Sequence, residues 1–290
     1  MDVPSAQSHD FRMSSYQDRL KAHLAAYKRD ALRVTDDGIY AGNGRSYAHI
    51  VPSDKRHLNL LESCREGVTG YLAKRPALHL HRDFHHLNSS QAMGFNLFWP
   101  AVATPAGLSA LAQALACTPI AATSPLFEST PDPAEPTHFD LHLHTRDGGQ
   151  LFFELNLSED NFGDAKADPA HLSKLGDLYL GRLQARVRPQ LLAAAESFPR
   201  YQLFRKLSHL ATDADRLFLV MPRDNLRLHE QARAFLADLD ADVRAQVTVL
   251  DIETLVERLQ AFAPPGDEAW PRHYREFTRK YGVDQAVMAD

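Results

Sequence analysis

The sequence predicts an α/β fold, a mixed sheet flanked by helices and preceded by a helical N-terminal extension. Three observations predict it. The first third carries helical periodicity and turn signals. Residues 139–158 alternate apolar and polar side chains as paired strands do. The second half interleaves helices with two continuous apolar runs, 216–221 and 246–250. The order is helices, an antiparallel hairpin, then α-α-β-α-β-α.

Each element has a local reason. Residues 1–13 are polar and expected to fray. Ser15 can cap a helix whose Tyr16, Leu20, Leu24 and Tyr27 share one face. Asp36-Asp37-Gly38 and Gly42-Asn43-Gly44 mark turns. Helices follow over 58–73 and 89–98. Thr104-Pro105 caps and starts another, running to about Ala116. The proline-rich stretch 124–136 reads as a loop. A long helix is expected over 169–188, with Leu172, Leu175, Leu178/Tyr179 and Leu183 as its apolar stripe, and Pro189 ends or kinks it. Residues 201–211 form a shorter helix. The run 216–221 reads as a strand covered on both faces. A helix over 224–239, a second strand over 246–250, and helices over 252–263 and 271–281 complete the chain. Residues 1–46 read as an extension with one helix, and 47–290 as a single domain.

Composition excludes several classes. The 290 residues hold 32 Lys+Arg against 37 Asp+Glu, a formal charge of −5. Mild acidity argues against a broad nucleic-acid footprint, though not against a local basic groove. Two cysteines, Cys64 and Cys117, make neither a disulfide framework nor a Cys-rich zinc site. No apolar run approaches the ~18 residues of a membrane span. The first residues carry no secretory signal, so a cytoplasmic protein is expected.

The hairpin is the chemically suggestive segment. Alternation places Asp140, His142 and His144 on one face of the first strand, and Phe152, Glu154, Asn156 and Ser158 on one face of the second. If the leucine faces both pack inward, Asp140 stands opposite Glu154 or Asn156. That parity needs an odd loop, and Arg146-Asp147-Gly148 supplies one, with Gly148 in the left-handed position. Two adjacent carboxylates repel each other, and Mg²⁺ would relieve them while keeping several waters. A solvated polar hairpin face is the plain alternative. The 15 histidines look like a metal signature. Asp140, His142 and His144, however, span about 13 Å at ~3.3 Å per residue, too far for one ion.

These residues resemble the PD-(D/E)XK nuclease superfamily, through Asp140 and Glu154-Leu155-Asn156 on a hairpin followed by a long helix. Three segments together resemble a family of restriction endonucleases within it: Ser89-Ser90-Gln91-Ala92-Met93-Gly94-Phe95-Asn96-Leu97-Phe98, Phe152-Phe153-Glu154-Leu155-Asn156-Leu157-Ser158-Glu159 with Phe162-Gly163, and Tyr201-Gln202-Leu203-Phe204-Arg205-Lys206-Leu207-Ser208-His209-Leu210-Ala211. The resemblance covers about residues 47–221 and implies a restriction-endonuclease-like core. It implies Mg²⁺ or Mn²⁺ held by Asp140 and Glu154, with Glu62 or Glu66 of an early helix as an added acidic ligand. DNA is the implied partner, with room for a homodimer and a partner methyltransferase. Gln91, Asn96, Arg182, Arg186 and Arg205 are the candidate nucleic-acid contacts. The family pattern places a lysine where this chain has Asn156. An amide donates a hydrogen bond but is neither base nor cation. Lys166 and Lys174 are the downstream lysines that a following helix could return to the site. Two readings follow: a metal-dependent DNA endonuclease acting through Asp140, Glu154 and Asn156, or an inactive relative that binds nucleic acid or a protein partner.

One decoy is set aside. His81-Arg82-Asp83-Phe84-His85-His86-Leu87-Asn88 spells a kinase catalytic loop, but only about 80 residues precede it and no Gly-rich strand-loop is present. Its expected role is to lead into the helix at Ser89.

Overall fold

The computed structural model describes residues 15–122, 125–184 and 186–283. Residues 1–13, expected to fray, lie outside them. Among the described residues, no helix is long and apolar enough to cross a membrane.

The N-terminal part is α1 (Tyr16–Asp30), a small antiparallel ribbon of β1 (Gly38–Tyr40) and β2 (Arg45–Tyr47), α2 (Glu62–Ala73), α3 (Ser90–Val102) and α4 (Pro105–Leu115). The expected caps are in place. Ser15, Ser89 and Thr104 accept hydrogen bonds from the backbone N–H groups of Asp18, Ala92 and Gly107. The helix expected from residue 58 begins later, because Ser53–Asn59 is a 3₁₀ turn and Leu61 is extended.

The sheet has five strands in sequential order: β3 (Leu126–Ser129), β4 (Phe139–His144), β5 (Gln150–Leu155), β6 (Arg216–Met221) and β7 (Val247–Asp251). The first three are antiparallel neighbours, and β5, β6 and β7 run parallel. Between β5 and β6 lie α5 (Pro169–Lys174), a π turn (Leu175–Tyr179), α6 (Leu180–Leu183), α7 (Ala194–Ser197) and α8 (Tyr201–Leu207). The chain continues through α9 (Leu226–Ala237) and α10 (Ala241–Arg244), and ends with α11 (Ile252–Ala261) and α12 (Ala269–Tyr281).

Two apolar clusters cover the two sheet faces. Leu141, Phe153, Leu155, Phe218 and Val220 pack with α2, α3, α4, α11 and α12, joined by Leu20 and Leu24 of α1. Phe139, Phe152, Leu217, Leu219 and Met221 pack under the helices from α5 to α9. The apolar run of β6 therefore alternates between two buried faces, as its composition requires.

Two expectations are corrected here. The stretch 124–136, read as a loop, contains β3, so the hairpin is interior to the sheet rather than at its edge. Prolines at both ends of this four-residue strand hid it, and prolines are tolerated at an edge. The long helix expected over 169–188 breaks into two short pieces around the π turn and ends at Leu183.

Candidate active site

The register builds the site. Leu141 pairs with Phe153 and His142 with Phe152, so the same register sets Asp140 opposite Glu154. The turn that fixes it is the expected one: Thr145 and Gly149 close the loop, and Gly148 is left-handed at φ 90°. On the other side of β4, Phe127 pairs with Leu141 and Ser129 with Phe139, which sets Glu128 beside Asp140. Three neighbouring strands therefore bring Glu128, Asp140 and Glu154 into one row. Directly opposed side chains in such a row have Cβ atoms about 5 Å apart.

The electrostatics record this crowding. Burial pushes the Asp140 carboxyl well above the usual carboxylate range, and the charges of Glu154 and Glu128 push it further. The Lys206 cation and the Leu155 N–H, donated to Asp140 at 2.7 Å, pull the other way. Burial likewise lifts Glu128 to about 7, against a hydrogen bond from Gln91 and the charge of Lys206. Glu128 also holds a left-handed backbone at φ 52°, which for a non-glycine residue costs about 1–3 kcal/mol. Such strain persists where the surroundings over-determine a position.

The counter-charge comes from a residue that sequence reasoning passed over. Lys206, on α8, is 5% exposed. Its ammonium is ion-paired with Glu154, donates to the His138 carbonyl, and lies 4.6 Å from the centre of the Phe139 ring. A signal was present. Lys206 sits three residues after Leu203 and four before Leu210, on the inward stripe of an otherwise apolar helix face. A lysine there must meet a buried charge.

The other expected residues separate. Gln91 stays at the site: it lies beside Glu128, accepts the His81 N–H at 2.8 Å, and lines a cavity of about 690 Å³ together with Asp140 and Glu128. The decoy segment forms another wall of this cavity, through His81, Asp83, His86 and Asn88. Asn156 is 5% exposed on the Glu154 side of β5, and its amide nitrogen has no hydrogen-bond partner. His142 is buried against Phe152 and bonded to Gln150 and Ser129, which makes it a packing residue.

Glu62 does not reach the carboxylates. It is exposed and lines a different cavity beside α12, because α2 is oriented with its first turn toward that helix. Glu66 is exposed as well. Asn96 is fully buried, away from solvent. It accepts from Leu61 N–H at 2.8 Å and donates to the Asn59 carbonyl and the Tyr281 hydroxyl, both at 2.9 Å. Arg205 pairs with the buried Glu135 at 2.7 Å, and Lys174 reaches the same carboxylate at 3.4 Å. Lys166 is exposed. Neither downstream lysine returns to the hairpin. Arg186 lies beyond the end of α6, and Arg182 and Arg186 line a second cavity further along β5.

The family comparison agrees with this architecture. A family model described as restriction endonuclease associating with ARP matches residues 21–282. The chain belongs to this family. No curated protein and no solved structure matches the chain. Membership of a restriction-endonuclease family agrees with the mixed five-stranded sheet flanked by helices and supports a nuclease class.

Proteins of this class usually use divalent metals, and the donor set can be tested against one. Among the described residues, no three His, Cys, Asp or Glu side chains are grouped as a ready-made metal cage. Lys206 lies against Glu154, and Asp140 is turned to the Leu155 N–H. The hard oxygen donors of Asp140, Glu154 and Glu128 still fit Mg²⁺, which binds through one or two carboxylates and keeps its waters.

Proposed function

We propose that this protein is a metal-dependent DNA endonuclease that hydrolyses phosphodiester bonds. The observation that carries the reading is the in-register pair of Asp140 and Glu154 with a buried lysine, Lys206, ion-paired to Glu154. Asp140 and Glu154, with Glu128 in place of the expected early-helix acid, would hold Mg²⁺ or Mn²⁺. A bound divalent ion supplies positive charge at the phosphoryl oxygens and lowers the pKa of coordinated water.

The chain's own residues account for the rest. Lys206 supplies the cation that Asn156 cannot. Its ammonium, ion-paired with Glu154, would donate to a non-bridging phosphate oxygen as negative charge builds there. The burial of Lys206 among Phe139 and the β4 backbone keeps water from screening it. Asn156 contributes a donor without charge, its buried amide nitrogen having no hydrogen-bond partner among the described residues. Hydrolysis adds water oxygen to phosphorus, breaks one P–O ester bond, and leaves a phosphate monoester and a hydroxyl. Lys206 weighs against the inactive reading, since the cation missing at position 156 is provided from α8.

The test is direct. Purified protein with supercoiled plasmid and Mg²⁺ or Mn²⁺ is expected to nick or linearise it, and EDTA to stop it. No conversion with either metal, on protein shown to be folded, would remove the reading.

A further inference from the structure

The sheet face that carries Glu154 continues along β5 to Phe152 and Gln150, where a second cavity of about 520 Å³ opens. Arg182, Arg186 and His209 line it, together with the carboxylates of Asp132 and Asp213. Arg186 is partly buried and donates only to neutral acceptors, the Leu210 carbonyl and the Gln246 side-chain oxygen. Burial draws its guanidinium below the usual value, and Asp215 and Asp213 oppose this. The Asp215 oxygens are already taken by the backbone N–H groups of Gln150, Ala211 and Thr212. Arg182 is held by Asp132 at 2.6 Å. His209 is 7% exposed, and its Nε2 has no hydrogen-bond partner.

A half-buried guanidinium without a contacting carboxylate, beside a buried ring nitrogen without a partner, is the complement of an anion. Buried charges and polar groups are normally compensated. Burial holds His209 neutral, with a pKa of about 4, so its ring can offer one N–H without adding charge.

We propose that this cavity is a phosphate subsite, with Arg186 as its principal cation and Arg182 and His209 as added donors. Under the nuclease reading, on which the choice of ligand source rests, the phosphate belongs to the DNA backbone. Geometry supports that source. Gln150 and Glu154 are four residues apart on one strand face, about 13 Å at ~3.3 Å per residue. That matches about four nucleotides at ~3.4 Å of axial rise each. Lys206, in the last turn of α8, contacts Glu154, and His209, just beyond that helix, lines the second cavity.

The experiment measures DNA binding in EDTA, by fluorescence anisotropy of a labelled duplex across a salt series, for the parent, Arg186→Gln, Arg186→Lys and Arg182→Gln. In parallel, inorganic phosphate is titrated while the His209 resonances are followed by NMR. Melting curves confirm folding, and Arg182→Gln serves if Arg186→Gln does not fold. Arg186→Gln is expected to weaken binding equally for all sequences and to lower the slope of log K against log salt by about 1. Arg186→Lys is expected to keep the slope. Inorganic phosphate is expected to shift His209 in the parent and not in Arg186→Gln. A His209 response with an unchanged DNA slope would keep the subsite and assign it to a free phosphate-bearing molecule. A parent that binds no DNA, yet shows that response, would overturn the nuclease reading and keep the subsite. An unchanged slope together with no His209 response would overturn the proposal.

Discussion

Replacing Lys206 with methionine keeps the length of the side chain and removes its charge. In the parent, Lys206 is 5% exposed, pairs with Glu154, donates to the His138 carbonyl and faces the Phe139 ring. Breaking a buried pair by removing one partner costs about 3–5 kcal/mol, because the remaining charge is stranded. Glu154 would be stranded beside Asp140 and Glu128, both already pushed up. Protonation of one carboxylate limits the loss, so about 3 kcal/mol is expected. At roughly 2 °C per kcal/mol for a chain of this size, the melting temperature should fall by about 6 °C. Mg²⁺ at ten times its dissociation constant should return about 1.4 kcal/mol, since it binds only the folded state. Cleavage should fall by about 10²–10³, the usual loss when a preorganised donor to developing charge is removed. Differential scanning fluorimetry with and without Mg²⁺, and plasmid nicking by the folded variant, read both effects. Adding Asn156→Lys to Lys206→Met should recover part of the cleavage. A Lys206→Met protein that melts and cleaves like the parent would refute the reasoning.

Other outcomes follow from the same geometry. Asp140→Asn should abolish cleavage yet raise stability in EDTA by about 1–2 kcal/mol, as removal of a crowded carboxylate from a functional site does; urea denaturation checks it. Asn96→Ala strands the Leu61 N–H, the Asn59 carbonyl and the Tyr281 hydroxyl, so stability should fall by about 3 kcal/mol while DNA affinity of the folded protein is unchanged. Burial lowers His49, His86, His142 and His209 to about 4. Their folded pKa lies below the unfolded value, so their contribution is complete above about pH 6.5 and is lost as pH falls through 4. Denaturant midpoints should therefore drop across that window, and His142→Phe should flatten part of the drop.

Much of the fold was legible because its signals are local. Alternation, caps at Ser15, Ser89 and Thr104, and the Arg146-Asp147-Gly148 loop act over a few residues. Hairpin parity left Asp140 opposite Glu154 or Asn156, and the three-residue loop Arg146-Asp147-Gly148 selects Glu154. The third carboxylate was hidden because β3 is a four-residue strand between prolines, and its pairing with β4 is not encoded near Glu128. Lys206 was hidden because helix-to-hairpin docking brings together residues more than fifty positions apart. Its place on an apolar helix stripe was readable, and its destination was not. Asn96 shows the converse. A family-like segment marked it for the cleft, but the segment's buried side packs on α12, where its amide ties together three backbone and side-chain groups.

Metal-dependent plasmid cleavage by the protein beside its Asp140→Ala variant, with equal folding verified by circular dichroism, is the most direct measurement of the proposed activity. The parent is expected to convert supercoiled plasmid with Mg²⁺ or Mn²⁺, and Asp140→Ala to be slower by about 10³ or more, a loss of the size expected when charge stabilisation at the phosphate is removed. Cleavage undiminished by Asp140→Ala would contradict the central claim.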